Sequence, residues 1–169
     1  NLRKSGKKQP DQTFVYHRKA NAVAASEKTV TKKEFAEYLA AMQGRYYNPN
    51  EKVADWVGFK KFGESPVSYG VNSPAADGKA LSADFYAGEG SGKGLIVWNP
   101  VSRQVQILNV LSDGTVWDEI RYKRNGKWQC EITLNHPDGT RQHIQSELTI
   151  SGNGDKHSYR GPDSQDAAV

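Results

Sequence analysis

Residues Thr115–Ile150 read TVWDEIRYKRNGKWQCEITLNHPDGTRQHIQSELTI. Three runs rich in β-branched and aromatic residues are separated by Asn125-Gly126 and by the turn holding Asp138-Gly139. Asn-Gly and Asp-Gly between alternating runs are the strongest short-range hairpin signals, because a type I′ turn needs positive φ at both central positions. The stretch therefore predicts successive antiparallel strands at Thr115–Lys123, Lys127–Leu134 and Arg141–Ile150.

The same punctuation recurs outward, at Asn48-Pro49, Asp77-Gly78, the Gly88–Gly94 loop, Asn99-Pro100, Asp113-Gly114 and Asn153-Gly154. It predicts further strands at Trp56–Phe62, Pro66–Val71, Ala80–Ala87, Leu95–Trp98, Gln104–Leu111 and Lys156–Arg160, with a short one at Thr13–His17. One helix is expected. Thr31-Lys-Lys-Glu34 forms a capping box, Phe35, Leu39 and Met42 recur at helical spacing, and Gly44 supplies a stop, which predicts a helix over 31–43. The fold class is mainly β: an antiparallel up-and-down barrel or strongly curved meander of eight or nine strands with one N-terminal α-helix. The chain divides into a basic polar leader (1–30), a single β domain (31–162) and a tail (163–169).

Two motifs that suggest other chemistry fail on spacing. In Tyr86–Trp98, YAGEGSGKGLIVW, the glycines before Lys93 are one residue short of a phosphate-binding loop, and Gly94 stands where a magnesium-binding hydroxyl is needed. The glycines read as a hairpin loop. Taking Glu34 as the last ligand of a calcium hand puts Val23 first, Ala25 third and Lys28 at the obligatory glycine, which no calcium loop accepts.

The net charge of +4 is uneven along the 169 residues. Residues 1–33 carry nine basic residues against Asp11 and Glu27, leaving fourteen basic and seventeen acidic residues beyond. The leader either docks on a polyanion or is a solvated extension, and without a folded reading surface specific nucleic-acid binding is not expected. No apolar run approaches a membrane span. A first residue of Asn marks either a trimmed chain or a processed precursor; a removed secretory signal would fit a periplasmic or secreted location, and the sequence leaves the compartment open. Cys130 is the lone cysteine and reads as a small core residue. His17, His136, His143 and His157 have no metal-like pair spacing, no serine sits in a nucleophile elbow, and no cofactor is called for.

Side chains i and i+2 of a strand share a face. Trp128, Cys130, Ile132 and Leu134 point inward on this reading, as do Val105, Ile107 and Leu111 with Asn109 among them, and Ile144, Leu148 and Ile150 with Ser146. In 115–123 the aliphatic and aromatic residues Val116, Ile120 and Tyr122 put Asp118 inward and leave Trp117, Glu119 and Arg121 outside, the tryptophan available to a partner. His157 shares a face with Tyr159. The candidate ligand-binding set is thus Tyr86, Trp98, Asn109, Asp118, Tyr122, Trp128, Ser146 and His157. Its polar members either orient a ligand in an apolar pocket or form a satisfied internal network around water.

Gly94–Gly161, with its Asn-Pro turn, "SDG", Trp-bearing strand, "-DG-" turn and Thr/Ser-rich closing strand, resembles a family of bacterial lipocalin-like, broadly calycin-like, domains of unknown function. The family's opening Gly-x-Trp strand is replaced here by Gly44-Arg-Tyr46 or by Asp55-Trp56-Val57-Gly58. The resemblance implies an antiparallel barrel with an internal cavity, and it transfers no catalytic residue. Three functions follow: binding of a small apolar or amphipathic ligand without catalysis, a filled barrel acting as an interaction module with a basic tail, or an isomerase- or hydrolase-like enzyme using a buried Asp118 as base.

Overall fold

The computed structural model describes residues 28–48, 68–87, 90–151, 156–160 and 167–168. The helix α1 spans Lys32–Met42, and its N-terminus is held as the capping box requires. The Glu34 amide donates to Thr31 Oγ1 (3.2 Å) and the Thr31 amide donates to Glu34 Oε2 (2.9 Å). At the other end Gln43 is extended, and Gly44, at φ +139, turns the chain into a strand. The last carbonyls find side-chain donors: Tyr46 Oη bonds Ala41 O (2.9 Å) and Asn72 Nδ2 bonds Met42 O (2.7 Å).

Ten strands follow in one antiparallel sheet, hydrogen-bonded in chain order: β1 Gly44–Asn48, β2 Ser68–Ala75, β3 Ala80–Ala87, β4 Gly90–Asn99, β5 Gln104–Leu111, β6 Val116–Arg124, β7 Lys127–Asn135, β8 Arg141–Ser151, β9 Lys156–Arg160 and β10 Ala167–Ala168. The eight strands β1–β8 make the body. No register joins β1 to β9 or β10 among the described residues, so this is the strongly curled meander rather than the closed barrel. β1 supplies the opening strand at Gly44-Arg-Tyr46; the expected strands Thr13–His17 and Trp56–Phe62 lie outside the described residues.

The curl follows from the packing of α1. Phe35, Tyr38, Leu39 and Met42 join one core cluster with Leu81 of β3, Ile96 of β4, Val105 and Ile107 of β5, Cys130 of β7 and Leu148 of β8. Five strand spacings cover about 24 Å of a flat sheet, whereas a helix with its side chains is only about 10–12 Å across. The sheet must wrap the helix to bring β3 and β8 into the same cluster.

The turns behave as their residues dictate, with Asn125 (φ 52) and Gly126 (φ 77) both left-handed between β6 and β7. The glycine stretch does not. Gly90–Gly94 belongs to β4, because its missing side chains are filled from neighbouring strands. A Cβ on Gly92 would lie 2.1 Å from the Phe85 ring, and one on Gly94 would lie 1.9 Å from Asn109 Oδ1. These glycines serve close packing inside a sheet.

Ahead of α1, residues 28–30 wedge between the ends of β5 and β6. Val30 N donates to Arg103 O (2.7 Å), Thr29 bridges to Lys123, and Trp98 Nε1 donates to Val30 O (3.2 Å). Val30 is wholly buried as a result.

Candidate functional site

The concave face is set by β7, whose Cys130, Ile132 and Leu134 are buried. Opposite residues of an antiparallel pair share a face. Arg121 pairs with Val105 on β5 and Cys130 on β7, and Glu119 pairs with Ile107 and Ile132. The inward residues of β6 are therefore Trp117, Glu119 and Arg121, which corrects the sequence reading of that strand. Glu119 is 1% exposed, while Asp118 is exposed on the convex face with Thr133 and Leu108 across from it.

The buried charges complete each other. Arg121 Nε donates to Glu119 Oε1, Trp117 Nε1 donates to Glu119 Oε2 (3.0 Å), and Arg121 Nη1 donates to Tyr38 Oη (2.6 Å). Desolvating an ion pair costs several kcal/mol per ion, which only paired and hydrogen-bonded charges offset. The network ties α1 to the middle of the sheet, with the Tyr38 ring 4.8 Å from that of Trp128.

Two inward polar atoms lack such completion. Asn109 Oδ1 and Ser146 Oγ are buried without a hydrogen-bond partner. Ser146 has the Cys130 thiol beside it, a weak partner, and burial pushes that thiol up to about 12, away from the thiolate form that reactive cysteines need. Asn109 lies between Gly94 and Trp117 in register. Trp117 in turn packs against a second cluster, Ile132, Leu134 and Ile144, to which no residue of α1 belongs.

The sequence-derived set thus divides. Trp98, Asn109, Trp128 and Ser146 share the concave face, but Trp98 and Trp128 pack against the core cluster that α1 fills. Asn109 and Ser146 lie on β5 and β8, with the Glu119–Arg121 pair between them. Asp118, and Tyr86 at 49% exposure, are on the convex side. Tyr122 belongs to that side too, and is buried under the wedge. Its hydroxyl donates to Glu131 Oε1 (2.6 Å), which also accepts from Lys28 Nζ (2.6 Å). Burial would raise the Glu131 carboxyl, but the hydrogen bonds from Lys28 and Tyr122 outweigh it and hold it below the usual range. Burial, then its bond to Glu131, pushes the Tyr122 phenol up. His157 stands opposite Ile150 in the β8–β9 register, and its side chain lies outside the described residues.

Of the residues missed, Trp117, Glu119, Arg121 and Tyr38, the three on β6 had a signal. A two-residue turn at Asn125-Gly126 pairs Arg124 with Lys127, and an inward Cys130 then forces an inward Arg121. Among the described residues no three His, Cys, Asp or Glu side chains are grouped to hold a metal ion, and no helix is long and apolar enough to cross a membrane. The chain matches no family model, no curated protein and no solved structure.

Proposed function

We propose that residues 31–162 act as a non-catalytic, lipocalin-like module that takes a small amphipathic molecule on the concave face, beside the half that α1 fills. The observation that carries this reading is the buried, unpartnered Asn109 Oδ1 next to the Trp117, Ile132, Leu134 and Ile144 cluster. An unpaired buried acceptor costs about 1–3 kcal/mol, and a donor from a ligand would recover it. Apolar walls with a few placed polar groups are the general form of a small-molecule site.

The ligand's head is a neutral donor, such as a hydroxyl or amide, because Glu119 and Arg121 already neutralise each other. Asp118 is exposed on the convex face, so it does not supply the buried base that the isomerase or hydrolase reading asks of it.

Native mass spectrometry of the purified chain, followed by titration with dodecanol while tryptophan emission is read, tests the proposal. An extra mass lost on denaturation, or saturable dodecanol binding that Asn109→Ala weakens, supports it. A bare chain with no dodecanol response overturns it. That result would favour the second reading, a filled half-barrel acting as an interaction module, for which the packing of α1 against six strands speaks.

A further inference from the structure

Among the described residues, the two ends of the curled sheet differ in charge and in what their turns expose. At the end where residues 28–34 meet the turns 76–79, 99–104 and 124–127, these segments hold seven basic residues and two acidic ones, and Lys28, Lys33 and Lys127 among them are paired with Glu131, Glu37 and Glu147 of the adjoining helix and strands. At the opposite end the turns 112–115 and 135–141 carry two acidic residues and one basic. The basic end is knit together by the wedge, since Val30 bonds Arg103 O and Thr29 bridges to Lys123. Its cations are held over aromatic rings: Lys32 over Trp98 (5.6 Å), Lys123 over Trp128 (5.3 Å), and Lys28 and Arg124 over Tyr122 (5.1 and 5.7 Å). From the same end the 99–104 turn projects Pro100 and Val101, the latter 70% exposed.

We infer that this end is a docking surface for anionic lipid headgroups, with Lys32, Arg103 and Arg124 meeting the phosphates and Val101 entering the interface. Basic residues close to an anionic membrane surface attract it additively. An exposed aliphatic tip among them adds what a purely ionic contact lacks. Base stacking would need free aromatic faces. The rings here are buried or half-buried and carry cations over them, which disfavours a nucleic acid.

The test is co-sedimentation of the full chain with phosphatidylcholine vesicles, with and without phosphatidylglycerol. The surface predicts binding to the anionic vesicles alone, weakening as salt rises. The triple variant Lys32→Gln, Arg103→Gln and Arg124→Gln loses roughly a hundredfold in partitioning at about one fivefold step per charge. Val101→Asp, at an exposed position no fold depends on, lowers the part of the binding that salt leaves. Equal binding to neutral vesicles, full binding by both variants, or displacement from vesicles by duplex DNA at lower concentration would each overturn the assignment.

Discussion

Two carboxylates anchor the helical end of this chain to its sheet, and they do so in opposite surroundings. Glu119 sits dry on the concave face with Arg121, Trp117 and, through Arg121, Tyr38. Glu131 sits half-buried on the convex face with Tyr122 and Lys28. The first links α1 to β6, and the second links Lys28 to β6 and β7. In the dry pair each partner is indispensable to the other, because removing one strands a buried charge. At the half-buried site water can take a lost partner's place, and the pair contributes little.

The sharpest way to break this contrast is Arg121→Met, expected to cost about 3–5 kcal/mol because Glu119 keeps its burial and loses its counter-charge. Urea unfolding followed by fluorescence measures it. The double variant Glu119→Leu/Arg121→Met recovers most of that loss; if it is no more stable than Arg121→Met alone, the stranded-charge account fails. Tyr38→Phe is expected to cost less, about 1.5–3 kcal/mol, as a hydrogen bond to a charged group is removed. Chemical denaturation reads this too, and the loss should shrink when Arg121 is already Met.

Glu131→Gln should cost only about 0.5–1 kcal/mol, with Tyr122 still able to donate to the amide oxygen. A loss as large as that of Arg121→Met would erase the distinction between the two sites. The smallest effect is in pH. The Glu131 carboxyl is held below its ordinary 4.5, so its contribution is whole above that pH and disappears as pH falls through the lowered value. Glu34 behaves alike, held down first by the Thr31 amide and then by Lys123. Stability measured stepwise from pH 6 to about pH 2 should therefore decline in wild type and decline less steeply in Glu131→Gln.

The sheet was legible because its punctuation is local. Asn125-Gly126, Asp77-Gly78 and the capping box at Thr31 need no distant partner to be understood, and the strands Ala80–Ala87, Gln104–Leu111 and Lys156–Arg160 fall where the alternation puts them. β7 was read correctly since Trp128, Cys130, Ile132 and Leu134 leave one plausible inner face. β6 was not, because VWDEIRYKR carries apolar residues on both faces and hydropathy favours the wrong one. What decides it is a register, in which Arg121 stands beside Cys130 and Val105. The glycines of β4 were misread for a similar reason: the Phe85 ring and the Asn109 side chain that demand them are supplied by other strands.

The wedge at residues 28–30 also constrains the order in which the molecule can assemble. The hairpins of the meander close between chain neighbours, and such short-range contacts form early. Trp98 meets Val30 across 68 positions, and Lys28 meets Glu131 across 103. During synthesis the helix leaves the ribosome before β3–β8 exist, and Phe35, Tyr38, Leu39 and Met42 have their full cover only once β8 has been made. The first described element to be translated is thus covered in full only after most of the sheet exists, and transiently exposed apolar surface of that kind favours self-association.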